Sequence, residues 1–451
     1  MEEYSGLEVV PNAPHEYQSH STSYPQSTLN AEQTGYPEAV SPEKEIPHNP
    51  SPAAITQHLS EGGAAPGEKP NRTCNIPTRK FYFLLIIFVI LIIGAIAAGL
   101  AAGLTRKHSS SENQTIMPNV NILTYSRISA TNWTDPSGLT HRYVFFQDTL
   151  GSMIARKWDS QNRTWATDNL TDILSASGTP ITPLQPSTPL ASVSIYSNLT
   201  NAVHVFFLSI ESTVNAIITQ TPLADPASWT LGPIYQSRLL TAPGSQLASA
   251  WNRCPSGDCA GSWSVAYQDP TFGTWIANGS NTATPDNILG AGILAQNSSF
   301  VMFPRLDYNS TSLTALALMA ESVTSATTGT AQQLSYLDSA WGISSSVLPN
   351  ANLTPPTPRL QFAMSTLDNF NTPVYLALLE DGTVTGEYLR FGSSRSEIPT
   401  VDFRGGPSVN FSAIAVSEEA IFYGISNDTI IQYSINSTDP SYFDYMATIY
   451  P

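Results

Sequence analysis

Six stretches of the chain each run from an apolar, strand-like segment into a polar hairpin turn. They are RYVFFQDTLG from Arg142, VHVFFLSIES from Val203, WSVAYQDPTFG from Trp263, ALALMAESVT from Ala315, VYLALLEDGT from Val374 and AIFYGISNDT from Ala420. Taking Gln147, Leu208, Gln268, Ala320, Leu379 and Ile425 as equivalent gives intervals of 61, 60, 52, 59 and 46 residues. Trp165, Trp229, Ile288, Trp341, Ile398 and Phe443 follow those anchors by 18 to 21 residues and are expected to open the last strand of each unit. A repeat of about 55 residues with room for four short strands has the size of one propeller blade, so six units predict a six-bladed β-propeller. The ring must hide its sheet edges, and the segment near Asn121 to Ser129 is expected to pair with the last blade around Tyr445. The competing fold is a pair of β-sandwiches with accidental spacing.

The composition of this region agrees with an all-β class. Apolar residues alternate with a period of two in short runs bounded by Gly, Pro, Asn, Asp and Ser, and no sustained 3.6-residue period appears. All eight tryptophans of the chain fall here. The whole sequence has 19 Lys+Arg against 35 Asp+Glu, a net charge of −16 that leaves no basic footprint for nucleic acid. Three cysteines exclude a disulfide-knit scaffold.

Ahead of the repeat the chain divides into three segments. Residues 1–80 hold 11 prolines and 10 glutamates with few apolar side chains, a composition expected to stay disordered. Residues 81–104, FYFLLIIFVILIIGAIAAGLAAGL, contain no charge and no proline. As a helix this run would be about 36 Å long, enough to cross a hydrocarbon core of about 30 Å. A Ser-rich stalk at 105–117 leads to the propeller at 118–451. Lys69, Arg72, Arg79 and Lys80 precede the run and only Arg106 and Lys107 follow directly, which puts the tail in the cytosol. Twelve N-glycosylation acceptors follow the span: Asn113, Asn132, Asn162, Asn169, Asn198, Asn278, Asn297, Asn309, Asn352, Asn410, Asn427 and Asn436. Only Asn71 precedes it, an asymmetry that supports a lumenal or extracellular C-terminal region and a single-pass type II signal anchor. Gly99 and Gly103 have the spacing of a helix-dimer contact, and Cys74 is placed for palmitoylation. Cys254 and Cys259 bracket the turn Pro-Ser-Gly-Asp and are expected to form a disulfide.

The pattern of an apolar strand ending in Tyr/Phe-Gln, a Gly turn, an Ile-rich strand and a Trp resembles the six-bladed fungal fucose-specific lectins. His141 to Trp165 carries the best match and Ser262 to Gly279 the next. The resemblance spans about 330 residues and implies sugar binding by an Arg on the second strand, a Glu on the third and a Trp or Tyr from a neighbouring blade. An aromatic face packs against the C–H face of a sugar ring while charged side chains fork its hydroxyls. Here Tyr143 stands at the Arg position with Arg142 one residue away, and Arg156 replaces the Glu. Ser264 holds the Arg position of the third unit, and Tyr375 that of the fifth. The candidate carbohydrate-binding set is therefore Arg142, Tyr143, Arg156, Trp158, Tyr267, Trp275, Glu387 and Arg390. Trp158, Trp165, Trp229 and Trp341 also fit blade packing, and Arg142 and Arg156 also fit paired surface charges.

Enzyme chemistry has little material. The region beyond the stalk contains two histidines, His141 and His204, so a His-based metal site or Ser-His-Asp triad is not expected. The stretch Asp269 to Trp275 has the wrong Asp-to-Gly spacing for a sialidase turn, and scattered carboxylates leave a glycosidase as the third reading. The expected function is reversible glycan binding at the cell surface without a cofactor or metal, with a protein-binding propeller as the alternative.

Overall fold

The computed structural model describes residues 121–451 except 180–181, 198–199, 225–226, 253–260, 306–314, 324–328, 338–339, 348–360, 369, 391–394 and 408. The tail, the apolar run with Gly99 and Gly103, the stalk, the three cysteines and the acceptors Asn113, Asn198, Asn309 and Asn352 lie outside the described residues. Among the described residues no helix is long and apolar enough to cross a membrane.

Six antiparallel sheets make six blades. Blade 1 consists of β1 (Ser129–Thr134), β2 (Thr140–Gln147), β3 (Met153–Asp159) and β4 (Trp165–Asn169), followed by the short helix α1 (Leu170–Ala176). Blade 2 runs from Ala191 to Leu231, blade 3 from Ala248 to Leu289, blade 4 from Phe300 to Val347, blade 5 from Gln361 to Ile398 and blade 6 from Asp402 to Tyr450. The innermost strands surround a central channel of about 120 Å³. Blade 6 carries a fifth strand, Asp402–Arg404, parallel to its outer strand Tyr442–Tyr450. Four of the six landmarks open or nearly open the last strand as expected, whereas Ile288 and Ile398 lie at its end.

Strand alternation explains why the apolar runs are continuous: each blade is buried on both faces by its neighbours. In β2, His141, Tyr143 and Phe145 point toward blade 2, and Tyr143 and Phe145 pack there with Val203, Val205, Phe207 and Trp229. Val144 and Phe146 point the other way and pack with Tyr423 and Ile430 of blade 6. A one-residue shift would exchange these two environments.

Hydrogen bonds define the true repeat register. In blades 1 to 4 a hydroxyl ahead of the inner strand accepts from an amide at or near the end of the second strand: Gln147 N to Ser126 Oγ at 2.8 Å, Leu208 N to Thr188 Oγ1 at 2.7 Å, Gln268 N to Ser245 Oγ at 2.9 Å and Glu321 N to Ser298 Oγ at 2.8 Å. Glu321, not Ala320, is thus the fourth anchor. The turn bonds Asp148 N to Ser152 O and Leu379 N to Thr383 O make Leu378 the fifth, in place of Leu379. Two anchors tie their blade to the next: Gln147 Nε2 donates to Gln185 O and its Oε1 accepts from Thr188 N. Gln268 repeats this with Ala295 O and Asn297 N. Glu321 occupies the same position with both carboxyl oxygens buried and unpartnered, and burial pushes its pKa up to about 8.

Ring closure differs from the expectation of a shared blade. The residues of blade 6 all come from the C-terminal segment, while 121–128 lead into β1, the inner strand of blade 1. Side chains join the two blades instead. Arg142 Nε and Nη2 donate to the two carboxylate oxygens of Glu419, Asn132 Oδ1 accepts from Glu419 N at 3.0 Å, and Arg156 Nη2 donates to Ile449 O at 2.6 Å.

Candidate functional site

A cleft of about 440 Å³ opens between blades 1 and 2. Its wall on blade 1 comes from alternate residues of β1 to β3, which the strand register places side by side: Trp133 opposite His141, and His141 opposite Asp159. The Trp133 ring stacks on His141 at 5.2 Å and 20° and on Tyr143 at 5.5 Å and 13°, a ladder of flat rings along the strand direction. Lys157 and Asp159 line the cleft from β3, Trp158 meets only its rim because its ring lies on the other face of the strand beneath the Arg142 guanidinium, and Pro222, Leu223 and Ala224 close the cleft from blade 2. Tyr143 reaches across, its hydroxyl 3.4 Å from Pro222 O.

Polar groups flank the rings. His141 Nε2 lies 3.1 Å from Asp135 Oδ2, while Asp135 Oδ1 accepts from the amides of Ser137 and Leu139. The bond from His141, with those amides, holds the Asp135 carboxyl below its ordinary value. Burial pushes the Asp159 carboxyl up, but donation by the Asn162 amide groups and Gln161 N outweighs it and the net shift is downward. Lys157 Nζ lies 3.4 Å from Asp168. Aromatic faces beside ionised carboxylates and an ammonium can take a polyhydroxylated ring, apolar side on the aromatics and hydroxyls on the charges. Among the described residues no three His, Cys, Asp or Glu side chains converge to hold a metal.

The structure distributes the sequence-predicted residues over several places. Tyr143 lines the cleft and Trp158 meets its rim. Arg142 does not: it points to the opposite face, is buried, and pairs with Glu419 with its guanidinium 4.1 Å over the Trp158 ring. Its burial disfavours the charged form, and the Glu419 carboxylate more than restores it. Arg156 shares that face and is bonded to Thr167 Oγ1 and Ile449 O. Tyr267 is buried, Trp275 half-buried, and both pack in the core between blades 2 and 3 with Val265 and Ala277. Glu387 is buried beside Arg395, at 3.6 Å. Arg390 is three residues on, so alternation sends it away from Glu387, and it donates to Thr438 O of blade 6. Arg142, Arg156, Tyr267, Trp275, Glu387 and Arg390 are thus held in packing or blade-to-blade contacts apart from the cleft.

Trp133, with Trp251, Trp263 and Trp275, is left open by the sequence between sugar platform and packing, whereas Asp135, His141, Lys157, Asp159 and Gln161 escape sequence reasoning as a group. Their only shared sequence signal is every-other-residue spacing on β2 and β3, which acquires meaning once the register with β1 is known. His204 is packed against Phe206, Trp251 and Trp263, and its Nδ1 lacks a partner. Burial lowers its pKa to about 4. Of the described acceptors, Asn162, Asn410 and Asn427 are exposed. Asn169 is buried and its Oδ1 caps α1 by accepting from Asp172 N.

No protein-family model and no curated protein sequence matches the chain. Solved structures do. The Aleuria aurantia lectin, described as a six-bladed β-propeller with a novel fucose recognition mode, aligns at a TM-score of 0.53 and 13% identity over 74% of this chain and 97% of its own. A variant of that lectin in complex with α-methyl-L-fucoside aligns at a TM-score of 0.55 with the same identity and coverage. AofleA from Arthrobotrys oligospora aligns at 0.50 and 14% identity over 70% of this chain and 84% of its own. By fold, this chain is a six-bladed β-propeller of the architecture found in the Aleuria aurantia lectin.

Proposed function

We propose that the propeller binds carbohydrate reversibly in the cleft between blades 1 and 2, as the extracellular part of a single-pass type II surface protein. The observation that carries the reading is the ladder of Trp133, His141 and Tyr143, with Asp135, Asp159 and Lys157 at its edge. A variant of the Aleuria aurantia lectin, which shares the fold, is solved in complex with α-methyl-L-fucoside and with Fucα1-6GlcNAc, which makes fucosylated glycans the first ligands to test. The Arg-and-Glu fork implied by the resemblance is not assembled in this cleft, so the hydroxyls fall to Asp135, Asp159, Gln161 and Lys157. The membrane reading rests on the 24-residue apolar run and the acceptors that follow it.

The test is a glycan array probed with the detergent-solubilised full chain, with free fucose as competitor. Saturable signal lost on Lys157→Ala supports the reading, and a silent array from folded protein sinks it. A protein-binding propeller is the second reading, favoured by Leu150 and Ile210, which stand 78% and 58% exposed in the hairpin turns of blades 1 and 2. Pull-down on immobilised glycoprotein before and after deglycosylation separates the two.

A further inference from the structure

The turn between β3 and β4 carries the acceptor Asn162-Arg163-Thr164, and both Asn162 and Thr164 line the same cleft as Trp133 and His141. Asn162 is exposed, so a transferase can reach it. Its Nδ2, the atom that would carry a sugar, donates to Asp159 Oδ2 at 3.0 Å. Asp159 also accepts from Gln161 N and Asn162 N through Oδ1, and its carbonyl accepts from Arg163 N at 2.9 Å. Arg163 sits at φ 56°, which completes the tight turn. Four bonds to Asp159, one of them from the Asn162 side chain itself, therefore hold Asn162 at the cleft rim. None of the other described acceptors lines this cleft.

We infer that an N-glycan on Asn162 folds back into the cleft and occupies it in cis, so that the chain's own sugar governs whether an outside ligand enters. This rests on the carbohydrate-binding reading and on exposure of the domain to the secretory lumen. Transfer forms a bond from Nδ2 to the anomeric carbon, breaks that carbon's bond to a lipid-diphosphate donor and releases one amide proton. The second amide hydrogen remains and keeps the bond to Asp159, which directs the first sugar along the rim. A ligand tethered by a short linker has an effective concentration in the millimolar range. Millimolar supply is enough to compete with free sugars for an open, shallow site.

The experiment compares the full chain made in a eukaryotic host with Thr164→Ala, which removes the acceptor and leaves Asn162 in place, and with wild type deglycosylated natively by an amidase. Three readouts are taken: the mass of the Asn162 peptide, hydroxyl-radical oxidation of His141, which lines the cleft, and glycan-array signal. The expected result is a glycan on Asn162, with His141 oxidation rising at least threefold and array signal at least fivefold when it is removed. An unmodified Asn162, or His141 oxidation that does not change on removal, overturns the inference. Array signal equal in all forms with unchanged oxidation overturns it while the carbohydrate-binding reading survives. Oxidation that rises while the array stays silent keeps the cis occupant and defeats the reading of an outside glycan ligand.

Discussion

Arg142 of blade 1 and Glu419 of blade 6 meet across the closure of the ring in a two-pronged ion pair, both prongs at 2.8 Å. The guanidinium is buried while about a third of the carboxylate side chain meets solvent. The geometry exploits the rigid fork of arginine, which a point-charged lysine cannot reproduce. Ring closure in this propeller thus depends on a few side-chain bonds in addition to apolar packing between the two blades.

Removing the carboxylate leaves a buried cation without its partner. Glu419→Ala is expected to cost about 2 kcal/mol, discounted from the range for buried pairs because Glu419 is partly exposed. Arg142→Lys should lose most of the same amount. Urea unfolding of the full chain measures both, and a change below about 0.5 kcal/mol for either would show that packing alone closes the ring.

Binding and stability should separate within the cleft wall. Lys157→Ala is expected to weaken glycan binding at least tenfold while costing about 1 kcal/mol or less of stability, since its ion pair with Asp168 is partly exposed. Trp133→Ala removes a ring only 6% exposed and packed with Tyr143, and is expected to cost about 3 kcal/mol or more. Titration calorimetry with an array-positive glycan, beside denaturant unfolding, reads the two effects.

Glu321 makes stability fall as pH rises through the acid-to-neutral range. Its folded pKa of about 8 stands above its ordinary value of 4.5, so the folded state holds a proton that the unfolded chain has lost between those limits. The stabilisation is complete below about pH 4.5 and declines as pH rises toward 8, by an amount on the order of 3 to 5 kcal/mol. Glu321→Gln removes that slope and installs the amide found at Gln147 and Gln268. The variant is expected to match wild type near pH 5 and to exceed it clearly at pH 8, as read by urea midpoints.

His204 acts at the other end. Its folded pKa of about 4 lies below its ordinary 6.5, so the unfolded chain binds the extra proton between those values and stability falls as pH drops from 6.5 to 4. Between about pH 4.5 and 6.5 the two slopes oppose each other and nearly cancel, which predicts a flat stability plateau there. His204→Phe, which keeps the ring against Trp251 and Trp263, should convert the plateau into a continuous decline with rising pH. Unfolding midpoints at half-unit intervals from pH 4 to 8 test the shape.

The six-unit recurrence and period-two alternation were enough to read an all-β six-bladed ring from the sequence, because burial on both faces of every blade imposes a repeating apolar strand that composition cannot hide. Low charge and the acidic balance likewise excluded nucleic acid without coordinates. Tertiary structure decided what each polar residue does. Arg142 and Tyr143 are neighbours in sequence, yet alternation sends one to the ring closure and the other to the cleft. Glu387 and Arg390, similarly close, diverge: Glu387 shares the strand face of Tyr375, which packs against blade 4, and Arg390 reaches Thr438 of blade 6. Trp133, His141 and Asp159 belong to three different strands and become one wall only through their register. Even the repeat anchors at Glu321 and Leu378 needed backbone hydrogen bonds to locate, since hydrophobic patterns tolerate a shift that pairing does not. A strand's sequence specifies which residues share a face, and only its pairing partners specify which neighbour that face meets.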